Sequence, residues 1–200
     1  MKTRVILCTG GIGSGKSVVV RAFKVLGLPA YDCDAAAKDL YDRDPALLAD
    51  VSACVGGGIL DADGRLDRSA LSARIFSDAA ALKAVEELVH PAVRRDFQRW
   101  LEAHPAPMVV LESAILLEKP GFEGLYDYVV AVTAPEAVRV ARVVARDGIS
   151  EQQVLSRMAR QADDAFRAAR ADFILNNDGR QALLPAILHI LEKIQEDGKN

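Results

Sequence analysis

Cysteine is scarce in this chain, and Cys8, Cys33 and Cys54 form neither an even set nor a C-x-x-C pair. That excludes a disulfide-built fold and fits a reduced compartment. Long apolar runs are missing: no stretch reaches the roughly 18 residues that a membrane helix needs. No leader pattern precedes the first strand-like run, so a soluble, cytoplasmic protein without a membrane segment is expected. Excess positive charge is also absent. The 25 Lys and Arg against 28 Asp and Glu leave a formal net charge of −3, which argues against nucleic acid as a partner. His90, His104 and His189 share no metal-ligand spacing, and His90-Pro91 and His104-Pro105 read as helix boundaries. No G-x-S-x-G elbow is present to make a serine nucleophile.

What is present is apolar and alternating. Two hundred residues, 50% of them hydrophobic, can bury a full core as one domain with an insertion. Short runs that are apolar on both faces occur at Val5–Cys8, Leu28–Tyr31, Met108–Leu111, Tyr128–Val132 and Phe173–Leu175. Such runs suit a parallel sheet covered on both sides. Helical patterns follow the first run as "VVVRAFKVLG" and recur at Pro135–Arg146, Glu151–Ala162 and Arg180–Gln195. Alternating strand and helix predicts an α/β fold with ligands at the carboxyl ends of the strands. From about 35 to 103 the alternation stops and only helical patterns remain, which predicts a helical insertion beside the core.

The most specific motif is "TGGIGSGKS". Gly10 to Ser17 fits G-x-x-x-x-G-K-[ST] between a strand and a helix, the context in which backbone N–H groups cradle nucleotide phosphates. Lys16 would reach the β- and γ-phosphates and the Ser17 hydroxyl would ligate Mg²⁺. Asp32 and Asp34 follow the second strand; one suits an acceptor hydroxyl or metal and the other a helix N-cap, and spacing leaves open which does what. Glu112 closes the third strand, where an acidic residue assists the metal, often through water. Arg139, Arg142 and Arg146, then Arg157 and Arg160, recur at helical spacing. Arginines closing over a transferred phosphoryl group would neutralise its charge, although Arg139 and Arg160 are assigned to a solvated face. Asp61, Asp63 and Gly64 place their glycine too early for a calcium loop and read as a polar turn.

In order, "TGGIGSGKS", "YDCDAAAKDL", "GRLDRSAL", "IFSD", "ELVHP", "ESAILLE", "RVARVVARDGIS", "RMARQ" and "ADFILNNDG" resemble the dephospho-coenzyme A kinase family over about residues 5–179. The resemblance implies a P-loop kinase of three α/β/α layers around a five-stranded parallel sheet. It places the core at about 1–34, 104–147 and 165–200, an acceptor-binding insertion at about 35–103, and a lid at about 140–164. It implies transfer of the ATP γ-phosphoryl group to the 3′-hydroxyl of dephospho-coenzyme A, with Mg²⁺, in a monomer or weak homo-oligomer. By the same resemblance, Asp34 is the catalytic base, with Asp32 beside it, and Lys16, Arg142 and Arg146 assist transfer. Gly11, Ile12, Gly13, Ser14, Gly15, Lys16, Ser17, Val18, Arg142, Arg157 and Asn177 bind ATP. Arg68, His90 and Glu118 belong to the acceptor region and its rim. Cys33, Ala114 and Val18 depart from the family's usual alanine, proline and threonine. A nucleoside or nucleotide kinase would share the loop but need another acceptor pocket. A GTPase-like switch is disfavoured because "DADG" follows glycines and no N-K-x-D is present.

Overall fold

The computed structural model describes residues 2–119 and 121–197. Its chain divides into two compact units, residues 1–31 with 105–200, and residues 32–104.

The first unit is organised by β1 (Arg4–Thr9), β3 (Met108–Glu112), β4 (Tyr128–Thr133) and β5 (Phe173–Asn176), and the sheet is completed by β2 (Ala30–Asp32). The order is β2-β3-β1-β4-β5, with β1 parallel to β3 and β4, and β4 parallel to β5. All five expected strands are present, each within two residues of its expected bounds. Register pairs Cys8 with Glu112 and Thr133 with Asn176, so the ends of β1, β3, β4 and β5 lie at one edge. Side chains alternate across the sheet, yet Ile6 and Leu7, Val109 and Val110, and Val129 and Val130 are all buried. A strand buried on both faces has no polar alternation to display, which is why these runs were readable.

Helix α1 (Lys16–Val25) buries Val19, Val20 and Phe23 despite its run of β-branched valines. Together with α9 (Leu183–Asp197), which buries Ile187, Ile190 and Ile194, it packs on Ile6, Cys8, Val110, Val130 and Val132. Burying each such side chain is worth about 1.5–3 kcal/mol, which outweighs the few tenths that a valine loses in a helix. Between β4 and β5 run α6 (Glu136–Asp147), α7 (Glu151–Met158) and the single-turn α8 (Asp164–Ala168). Ser150 and Gln153 form a reciprocal capping box at α7. Helix α7 ends at Met158, four residues before its expected end at Ala162, and α8 is an element that the helical pattern does not predict.

The second unit contains α2 (Cys33–Arg43), α3 (Pro45–Cys54), α4 (Arg68–Ser77) and the 25-residue α5 (Ala79–Ala103), which packs on the other three. Asp61 accepts hydrogen bonds from the N–H groups of Asp63 and Arg65, so "DADG" is a closed polar turn, with Leu60 bridging Leu66. The boundary assigned to His90-Pro91 is corrected: Pro91 lies inside α5. An interior proline costs about 3 kcal/mol. Val85, Val89, Val93 and Phe97, all buried on the same helix, exceed that cost several-fold. His104 does cap a helix end, as expected.

Candidate active site

The loop after β1 is shaped by what holds its carbonyls. Lys16 Nζ donates to the Gly10 carbonyl at 2.9 Å and the Ser14 N–H to that of Gly11 at 3.1 Å. Arg139 Nε donates to the Ile12 carbonyl at 2.9 Å, and Asn177 Nδ2 to that of Ser14 at 2.8 Å. Arg142 adds long contacts to the carbonyls of Gly13 and Ser14, 3.4 and 3.5 Å. In a trans peptide the N–H points opposite the preceding C=O. Donors on the carbonyls therefore turn N–H groups such as those of Gly13 and Gly15 the other way, which is how a backbone nest for anions is made. Gly13 and Gly15 carry φ of +78° and +93°. A Cβ at Gly13 would also lie 2.6 Å from the Arg139 carbonyl, and one at Gly15 would collide with Asn177. Backbone conformation and close packing both demand glycine there.

Around this loop, Ser17 and Val18 are exposed on the first turn of α1 and Glu112 is half-buried at the end of β3. Burial pushes the Cys8 thiol up to about 12, with Glu112 raising it further and Lys16 opposing. Both charges thus act at the end of β1. Asn177 is buried, its amide committed to the loop. Arg146 reaches Asp147 through two bonds, 2.7 and 3.1 Å, and Arg157 reaches the same carboxylate at 3.3 Å. The hydrogen bond from Arg146 lowers the Asp147 pKa and raises that of Arg146. These pairs are exposed and contribute little to stability. Of the three arginines, then, Arg142 lies on the loop while Arg146 and Arg157 gather on Asp147.

In the second unit Asp32 and Asp34 divide cleanly. Asp32 is the N-cap of α2, accepting from the N–H groups of Asp34 and Ala35 at 2.9 and 3.0 Å, and Asp34 is exposed in the first helical turn. Replacing Asp32 by Ala is expected to cost about 1 kcal/mol and lower the melting midpoint by roughly 2–4 °C. Asp32→Asn, itself a good cap, should melt near wild type. An Asp32→Ala protein melting like wild type would remove the capping role.

The profile of the dephospho-CoA kinase family matches residues 4–182. A dephospho-CoA kinase of Porphyromonas gingivalis is 37% identical, covering 96% of this chain and 95% of that protein. The chain belongs to the dephospho-CoA kinase family. A dephospho-CoA kinase of Corynebacterium diphtheriae is 38% identical over 90% of this chain and 92% of its own length. A Thermus thermophilus crystal structure superposes with TM-score 0.83 at 36% identity, covering 98% of both chains. The Campylobacter jejuni dephospho-CoA kinase, at 22% identity and TM-score 0.69, covers 98% of this chain and 100% of its own and shares the fold.

Within this family frame, Arg68 and His90 both fall in the second unit. Arg68 donates to Asp42 Oδ2 at 3.3 Å from the start of α4, and half-buried His90 sits inside α5. Glu118, on the 3-10 turn Leu116–Glu118, pairs with Arg167 at 2.5 Å. The solvated-face assignment of Arg139 is overturned: its side chain is 8% exposed and pairs with Asp164 at 3.0 Å. It shares the buried stripe of α6 with Val143, a stripe that i,i+4 spacing could have revealed. Arg160 is exposed. Gln161 stands in the sequence only as the end of "RMARQ", and no pattern marks Asp164 or Arg167, because each is half-buried or buried by partners remote in sequence.

Magnesium fits the donors at the loop. Ser17 and Glu112 supply hard oxygens, and among the described residues no group of three His, Cys, Asp or Glu could hold a metal unaided. Mg²⁺ is characteristically held by one or two protein oxygens with phosphates and water. Also among the described residues, no helix is long and apolar enough to cross a membrane.

Proposed function

We propose a division of labour for the family reaction, in which ATP donates its γ-phosphoryl group to the 3′-hydroxyl of dephospho-coenzyme A, giving coenzyme A and ADP. The observation that carries the donor side is the pinned loop Gly10–Ser17, whose carbonyls are claimed by Lys16, Arg139, Arg142 and Asn177. ATP phosphates sit on the opposed N–H groups at the start of α1. Lys16 exchanges the Gly10 carbonyl for phosphate oxygen. Ser17 and Glu112 would hold Mg²⁺, directly or through water, and the ion would neutralise phosphate charge when bound.

Asp34 accepts the proton of the acceptor hydroxyl, while Arg68, His90 and Glu118 serve the acceptor region and its rim. Residues 140–164 act as a lid. Arg146 and Arg157 exchange Asp147 for the negative charge of the triphosphate, joining Arg142, and exclude water that would otherwise be phosphorylated. The scarce cysteines, of which Cys8 and Cys33 are buried, suit a cytoplasmic enzyme, working as a monomer or weak homo-oligomer.

The test is ADP release with MgATP against a panel of acceptors. Release is expected with dephospho-coenzyme A and not with nucleosides, nucleotides or shikimate. Turnover of a nucleotide without turnover of dephospho-coenzyme A would overturn the assignment.

A further inference from the structure

Ile12 is gripped on both of its polar backbone atoms. Its N–H donates to Gln161 Oε1 at 2.8 Å, and its carbonyl accepts from Arg139 Nε at 2.9 Å. The two grips come from opposite ends of the α6–α7 segment, since Arg139 lies in the second turn of α6 and Gln161 in the turn after α7. The early end of α7 is what frees Gln161 to reach the loop. Arg139 is itself fixed by Asp164, 3.0 Å away.

The consequence is geometric. The carbonyl of Ile12 and the N–H of Gly13 belong to one planar trans peptide, so holding the first aims the second. The preceding peptide is held at the Ile12 N–H by Gln161 and at the Gly11 carbonyl by the Ser14 N–H, 3.1 Å away. Both peptides flanking Ile12 are therefore set before any nucleotide arrives. A loop left free there would have to lose that freedom on binding, which weakens affinity without altering any direct contact.

We propose that Gln161 and Arg139 are positioning residues that preset the Gly13 N–H for a nucleotide phosphate. They tie the segment bearing the lid arginines to the donor loop. This rests on Gly10–Ser17 being the ATP loop. It concerns neither the acceptor nor the proton transfer.

The experiment is calorimetric titration of the full chain with MgADP, without acceptor, alongside KM and kcat for ATP. The variants are Gln161→Met, Arg139→Lys, which keeps the charge, and the double variant. Each single change is expected to raise the Kd for MgADP about three- to tenfold, the worth of one net hydrogen bond. KM for ATP should rise in step, with kcat changing less. The double variant should be no worse than the more severe single, because both act through Ile12. An unchanged Kd in Gln161→Met would overturn the proposal. So would multiplicative effects in the double, or a loss of active fraction with Kd and KM unmoved, the mark of a purely structural role. If Arg139→Lys does not fold, Gln161→Met decides alone, since half-buried Gln161 can change without opening the core. Failure of the ATP-loop reading itself would show separately, as wild-type protein that does not bind MgADP.

Discussion

Asp34→Asn should lower kcat about 10²–10⁴-fold, the span of general-base catalysis, while KM for ATP stays near wild type. The asymmetry follows from where the two tasks reside. In the proposed reaction the ATP phosphates go to the loop of the first unit, where Lys16, Arg142 and Asn177 converge, whereas Asp34 opens α2 in the second. Folding should hardly change. The cap of α2 is Asp32, the Asp34 side chain is exposed, and the isosteric amide gives up a favourable helix-terminus charge, worth about 0.3–1 kcal/mol. Steady-state kinetics with varied ATP and saturating dephospho-coenzyme A, paired with a melting curve, separate these quantities. Near-normal turnover would show that Asp34 is not the base. A raised KM for ATP with intact kcat would make it a nucleotide-binding residue instead.

Which parts of this molecule the sequence reveals depends on how far apart the interacting residues lie. The strands are legible because a strand buried on both faces must be apolar throughout. The donor loop is legible because phosphate binding, left-handed backbone and the approach of Arg139 and Asn177 all demand small residues within eight positions. The roles of Asp32 and Asp34 are only half legible. Either can cap a helix that begins nearby, and the choice depends on a helix start fixed by tertiary packing. Pro91 misleads because local propensity is overruled by the packing of a 25-residue helix. The supports of the loop are the least legible. Gln161 meets Ile12 across 149 positions and Arg167 meets Glu118 across 49. The local signal for such an arginine is slight: at Arg139 only the i,i+4 spacing to Val143 separates it from one on a solvated face.

The largest stability effect is expected at Arg167. It is the most voluminous of the fully buried side chains, 1% exposed, and its guanidinium bonds Glu118 and the Ala162 carbonyl, with Asp164 at 3.6 Å. Asp164 also pairs with Arg139, so charges alternate from Glu118 through Arg167 and Asp164 to the residue that holds Ile12. Such a chain gains little over an apolar core while intact, because Arg139, Arg167 and Glu118 have been largely removed from water, but breaking it strands a charge. Arg167→Met would leave Glu118 without that cation in a largely buried position. The expected loss is about 3–5 kcal/mol, a fall in melting midpoint of roughly 6–20 °C for a chain of this size. Adding Glu118→Gln should recover part of the loss, since the stranded charge is then gone, so the double variant melts above the value that the two single effects predict together. Arg167→Lys should fall between, because a single ammonium cannot span both Glu118 and the Ala162 carbonyl. If Arg167→Met melts within a degree of wild type, or if the double variant shows simple additivity, the guanidinium is not the joint of this chain, and the Glu118 turn must be held by its apolar neighbours alone.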